Sequence, residues 1–220
     1  MKLVHAAYEP AGSGPFPTIF AMHGWAFDSM YLVGLGPFLA DGRFLMICPQ
    51  GPIEAEIRGN RGYSWYENRL GSQPDESKVS AATDLLSEFI EEACRRYPVD
   101  RAKMVALGFS QGGMMAFNLA VRSPEKFAAL VGIATAFPDY LAERSENPEL
   151  LRNVPTLLQH GRADEDIKLA VARKSAERLS ALGAPVTLLD YGCRHEIPAE
   201  GIGDLSTFLA EKGLGSAARG

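Results

Sequence analysis

Short apolar runs alternate with longer stretches of helical period along most of this 220-residue chain, and that alternation limits its fold more than any other feature. Residues 2–8, TIFAMHG (18–24), RFLMICP (43–49), MVALGF (104–109), FAALVGIA (127–134), PTLLQHG (155–161) and VTLLDYG (186–192) read as strands. Between them, residues 78–96 place Val79, Ala82, Leu85, Leu86, Phe89, Ile90 and Ala93 at helical spacing, with Pro98 as the stop. Gln111 to Val121, Ile167 to Leu182 and Glu200 to Leu209 read as further helices, and the tail GLGSAARG is predicted to fray. Strands apolar on both faces need helices on both faces, which implies an α/β fold with a mostly parallel central sheet. In such sheets ligands bind at the carboxyl ends of the strands. The loops after Met22, Ile47, Phe109, Ala134, Gln159 and Tyr191 are therefore expected to converge. Only short linker-like stretches occur, Gly12 to Pro17 and Gly71 to Asp75, and there is no internal repeat, so residues 1–220 are read as a single domain.

The formal net charge of −5 argues against nucleic acid as a partner, because a phosphate backbone selects a basic face. The N-terminus lacks the apolar stretch and cleavage site of a secretory signal, and no run approaches a membrane span. Three widely spaced cysteines, Cys48, Cys94 and Cys193, show no metal-ligand spacing and suit a reducing compartment. These features together give a cytoplasmic reading.

Gly108-Phe109-Ser110-Gln111-Gly112 lies where a predicted strand meets a predicted helix. A bare G-x-S-x-G pattern is weak, but this placement is that of a nucleophile elbow. The turn strains the serine backbone, and glycines two residues to either side let strand and helix pass without a Cβ clash. The hydroxyl then stands at a helix N-terminus, where unpaired amides favour developing negative charge. Serine needs a base, and the base an orienting carboxylate. His195 follows the last strand in YGCRHEIPAE, and HGRADEDI, after the preceding strand, offers Asp164, Glu165 and Asp166. His160 is read as a half-buried histidine holding the acid loop, and His23 stands in the wrong chain order for the base. For an oxyanion, one amide is expected from Gln111 and the other from the HGWAFD loop, with Trp25 the choice there.

HGW, GNRGYSWYE, GFSQGG, HGRADEDI and GCRHEIP together resemble the phospholipase/carboxylesterase family of α/β-hydrolases, from about Thr18 to Leu209. The resemblance implies an α/β-hydrolase fold with a minimal cap, Ser110 as nucleophile, Asp164 as acid and His195 as base. It matches Trp25 and Gln111 to the oxyanion positions, and the stretch after Gly62 to one that lines the substrate cleft. Trp25, Trp65 and Phe137 are expected to contact substrate, within a wider apolar set of Phe27, Met30, Tyr66 and Met114. Trp25 replaces a common leucine, and Ile167-Lys168 stand where a valine-proline pair is usual; both changes alter pocket walls.

The expected function is a serine hydrolase cleaving esters of small to medium acyl groups in an open site, with no cofactor and no metal. The partner is a small-molecule ester or thioester, and the sequence leaves room for a homodimer. A long-chain thioesterase or lysophospholipase, a peptidase, and a non-hydrolytic ligand-binding protein on the same fold are the competing readings.

Overall fold

The computed structural model describes residues 1–67, 74–143 and 148–215. A seven-stranded sheet forms from β1 (His5–Tyr8), β2 (Phe16–Met22), β3 (Leu45–Pro49), β6 (Val99–Phe109), β7 (Ala129–Ile133), β8 (Thr156–Gly161) and β9 (Val186–Tyr191). Its spatial order is β1-β3-β2-β6-β7-β8-β9, parallel throughout except for the antiparallel edge strand β1. A separate antiparallel hairpin, β4 (Ile53–Ile57) and β5 (Asn60–Ser64), stands apart from the sheet.

Side chains alternate across the sheet with the period of a strand. Phe20, Met22, Met104 and Ala106 face one core, shared with α2 (Glu76–Arg96), α3 (Gln111–Arg122) and α5 (Leu169–Ala181). Ile19, Ala21, Val105 and Leu107 face the other, shared with α1 (Met30–Val33) and α6 (Ala199–Glu211). A short helix, α4 (Asp139–Glu143), follows β7. The long helix α2 starts where the Asp75 side chain accepts the Ser77 amide at 2.9 Å, and it ends one residue before Tyr97-Pro98.

The predicted strands and helices are all present with shifted ends. The sequence reading lacked the hairpin and the short helices α1 and α4, although the exposure of β4 alternates residue by residue. Of the predicted linkers, residues 71–73 lie outside the described residues, as does the end of the tail, 216–220.

Two close approaches govern the centre of the fold. A Cβ on Gly112 would lie 2.1 Å from the Met22 carbonyl oxygen, and one on Gly108 would lie 2.1 Å from the Gly112 oxygen. Both obstacles are backbone, so neither can swing aside. Gly112→Ala is expected to destabilise the fold by about 3 kcal/mol or more in urea unfolding. Gly203→Ala, exposed on α6 with no atom within 4 Å of the new Cβ, is the matched control. It is expected to be neutral or to stabilise by up to about 1 kcal/mol.

Candidate active site

Ser110 occupies the single residue between β6 and α3, with φ 52° and ψ −118°. A non-glycine residue rarely holds such a backbone, and the surroundings impose it here. The Ser110 amide donates to the Ile133 carbonyl at 2.9 Å, and its own carbonyl accepts Thr135 Oγ1 at 2.8 Å and the Gly113 amide at 3.0 Å. Strand, helix and the loop after β7 thus grip the backbone of the same residue, and its side chain is left half-buried at the strand end.

His195 comes from the loop after β9. Its Nε2 lies 2.9 Å from Ser110 Oγ and its Nδ1 lies 2.8 Å from Asp164 Oδ2. A carboxylate only accepts, so Nδ1 carries the proton and Nε2 offers its lone pair to the serine hydroxyl. Asp164, 2% exposed, comes from the loop after β8. Its other oxygen, Oδ1, accepts the amides of Asp166 at 2.9 Å and Ile167 at 2.8 Å. A buried carboxylate held by three donors is fixed in position. Of the three acids in HGRADEDI, Asp164 alone reaches His195; Asp166 turns outward and Glu165 is exposed.

Two other histidines, His160 and His23, are spoken for. His160 is fully buried rather than half-buried; its Nε2 donates to the Ile167 carbonyl at 2.7 Å and stands 3.3 Å from Asp164 Oδ2. His23 Nδ1 donates to the Gly24 carbonyl at 2.7 Å, and its Nε2 accepts the Gly51 amide at 2.9 Å. Both ring nitrogens are thereby committed to the neutral form. Burial pushes the His23 pKa below its ordinary 6.5. The unfolded chain binds a proton near 6.5 that the folded chain refuses, so this group's stability contribution falls as pH drops through that value. The urea midpoint is expected to fall between pH ~6.5 and ~5, above the range of the carboxylates, and His23→Gln should flatten that slope.

The amides of Trp25 and Gln111 have no acceptor among the described residues. The Gln111 side chain has a different task. It is buried, its Oε1 accepts the Trp65 amide at 3.1 Å, and its Nε2 donates to the Tyr66 carbonyl at 3.1 Å, which ties the end of the hairpin to the start of α3. The sequence reading used only its backbone.

A pocket of about 450 Å³ opens over Ser110 and His195, lined by Trp25, Phe27, Ile57, Tyr66, Phe109, Met114 and Ile167, with Arg58, Asn60 and Asp166 as its polar part. Among the residues expected to contact substrate, Trp25 lines this pocket. Trp65 and Phe137 do not, and that expectation is corrected. Trp65 is 1% exposed in the core, donating Nε1–H to the His23 carbonyl at 2.8 Å and packing on the His23 ring at 4.9 Å. An indole N–H must find an acceptor when buried, and here that acceptor is a strand-end carbonyl. Phe137 is also 1% exposed and packs edge-on against Phe117 in the core. Met30 points to solvent, whereas Phe27, Tyr66 and Met114 of the wider set do line the pocket. The sequence reading missed Ile57, Arg58 and Asn60 at the hairpin tip; the alternating IEAEI followed by Arg-Gly was the available signal. No insertion after β7 covers the site among the described residues, but the hairpin stands over it.

A serine held at a strained strand-to-helix turn, on a mostly parallel sheet whose later strand-end loops carry the histidine and the acid, defines an α/β-hydrolase. A profile of the phospholipase/carboxylesterase family matches residues 18–212, and the chain belongs to that family. It is a hydrolase of the carboxylesterase and thioesterase type. Acyl-protein thioesterase 1 of Emericella nidulans is 29% identical over 182 residues, 74% of this chain and 74% of that protein. The crystal structure of esterase PE8 superposes with a TM-score of 0.79 at 25% identity, covering 96% of this chain and 99% of that one. The Bacillus cereus carboxylesterase superposes with a TM-score of 0.82 at 18% identity, covering 96% and 95%, which shows the shared fold. Among the described residues, no helix is long and apolar enough to cross a membrane.

Proposed function

We propose that this chain is a serine hydrolase that cleaves carboxylic esters of small to medium acyl groups through an acyl-enzyme on Ser110. The observation that carries the reading is the continuous relay from Ser110 Oγ through His195 to buried Asp164, with both contacts below 3 Å.

Ser110 Oγ attacks the substrate carbonyl as His195 Nε2 takes its proton. The carbonyl oxygen becomes an oxyanion, received by the amides of Trp25 and Gln111 at the end of β2 and the start of α3. The tetrahedral species collapses by breaking the bond to the leaving alkoxide or thiolate, which takes the proton from His195. Water then enters, gives its proton to His195 and its oxygen to the acyl carbon, and Ser110 leaves with the returned proton. Asp164 keeps the Nδ1–H tautomer and balances the imidazolium charge through each half-reaction. No residue in this scheme calls for a metal or organic cofactor.

The pocket's size and its apolar walls support a small or medium acyl group. The thioesterase alternative draws on the name carried by the Emericella nidulans relative, an acyl-protein thioesterase, and that name specifies no chain length. Hydrolysis of p-nitrophenyl esters from acetate to palmitate separates the two. The expected profile peaks at short to medium chains; a maximum at palmitate would establish the long-chain reading, and no turnover by folded protein on any ester or thioester would remove both.

A further inference from the structure

We propose that Arg58 and Asp166 form a specificity-determining latch, an ion pair that ties the hairpin tip to the acid loop over the pocket and limits the acyl group Ser110 can receive. The inference rests on the acyl-transfer reading above and names what sets the substrate's size.

The pair is bidentate: Arg58 Nη2 donates to Asp166 Oδ1 at 2.6 Å and Nη1 to Oδ2 at 3.2 Å. The fork of a guanidinium matches a carboxylate in this way and fixes direction as well as distance. The Arg58 guanidinium also holds the Asp166 carboxyl below its ordinary pKa, so the pair stays charged at neutral pH. Both residues line the pocket that contains Ser110 and His195. The latch therefore lies across the reaction site and not on a remote surface.

The backbone supplies an independent argument. Ile57 and Asn60 pair at the end of the hairpin ladder, and the two residues between them, Arg58 and Gly59, have φ of 49° and 83°. That is a type I′ turn, whose first central position favours asparagine, aspartate or glycine. Arginine is strained there. Turn chemistry does not select Arg58; its reach to Asp166 does.

The hairpin is fastened at both sides of the cleft. Near its other end, the Ala26 amide donates to the Tyr63 carbonyl at 2.9 Å and the Tyr63 amide to the Phe27 carbonyl at 2.8 Å, joining β5 to the loop that carries Trp25. At the tip, Asp166 takes Arg58 with its side chain while its amide holds Asp164 Oδ1. The hairpin thus runs from the oxyanion loop to the acid loop. The ion pair at its tip is exposed, with side-chain exposures of 66% and 32%, so solvent screens it and the latch opens readily. Such a pair biases an equilibrium by a factor of about three to five and weakens with salt. It acts as a filter on acyl size, not as a wall.

The test compares wild type, Arg58→Gln, Asp166→Asn and the charge-swapped Arg58→Asp/Asp166→Arg on p-nitrophenyl acetate, butyrate, octanoate and decanoate. The octanoate-to-acetate ratio of kcat/KM is expected to rise about three- to fivefold in each single variant and to return toward wild type in the swap. In wild type the same ratio should climb with added sodium chloride. Amide hydrogen exchange supplies a readout that needs no turnover: residues 53–64 are expected to exchange faster in Arg58→Gln. An unchanged ratio in Arg58→Gln, or unchanged exchange of the hairpin, overturns the latch while leaving the esterase reading in place. If Arg58→Gln speeds hairpin exchange but the folded wild type hydrolyses no ester, the esterase reading is overturned, and the limit on acyl size falls with it.

Discussion

Replacing Ser110 with alanine is expected to lower kcat for p-nitrophenyl butyrate by on the order of 10⁶-fold while leaving the fold intact. Alanine keeps the Cβ and meets the same strained backbone that serine already holds at φ 52°, so the elbow needs no adjustment. The gripping contacts to Ile133, Thr135 and Gly113 all use the main chain and survive the change. What disappears is the hydroxyl oxygen 2.9 Å from His195 Nε2. Removing His195 instead should cost about as much, and the double variant little more, because nucleophile and base act as a unit. The residual rate measures binding and the oxyanion amides alone. A folded Ser110→Ala protein with turnover within tenfold of wild type would sink the acyl-enzyme mechanism.

The second large effect is expected from Asp164→Asn, a loss of about 10⁴-fold in kcat. The surroundings decide how the new amide must lie. On the Oδ1 side the two amides of Asp166 and Ile167 point inward, so an NH₂ group there would meet two donors. It therefore turns toward His195, where it donates to Nδ1. The imidazole proton moves to Nε2, which then donates to Ser110 Oγ instead of accepting from it. The base is present but in the wrong tautomer. Asp164→Ala leaves the two loop amides and the His160 contact unmatched in a buried place and should add a stability loss that Asp164→Asn avoids. Steady-state kinetics with thermal unfolding on both variants separates the two effects, and an Asp164→Asn enzyme within tenfold of wild type would exclude the orienting role.

Much of this molecule was legible before any coordinates. The elbow could be read because GFSQG sits at a change of period, from strand to helix, and only a sharp turn joins the two. The later loops could be placed because a parallel sheet delivers every strand end to the same edge. The choice among Asp164, Glu165 and Asp166 was different in kind. Local pattern left all three open, and the family resemblance pointed to one. The structure gives the reason in hydrogen bonds: the loop closes on Asp164 Oδ1 with two of its own amides, which buries that carboxylate and turns Asp166 outward.

Trp65 and Phe137 mark where sequence reasoning fails. A large aromatic near a strand-end loop can wall a pocket or fill a core, and residue type does not distinguish the two. Trp65 is buried with its N–H satisfied by the His23 carbonyl, and it is the next residue, Tyr66, that lines the pocket. Composition and periodicity thus determined the sheet, its helices on both faces and the edge at which chemistry gathers, since burial of apolar surface acts along local repeats. Tertiary structure alone decided which aromatics meet a substrate, and it alone carried a strained arginine from one loop to an aspartate 108 residues away. Such contacts depend on chain segments meeting in space, and no local pattern encodes them.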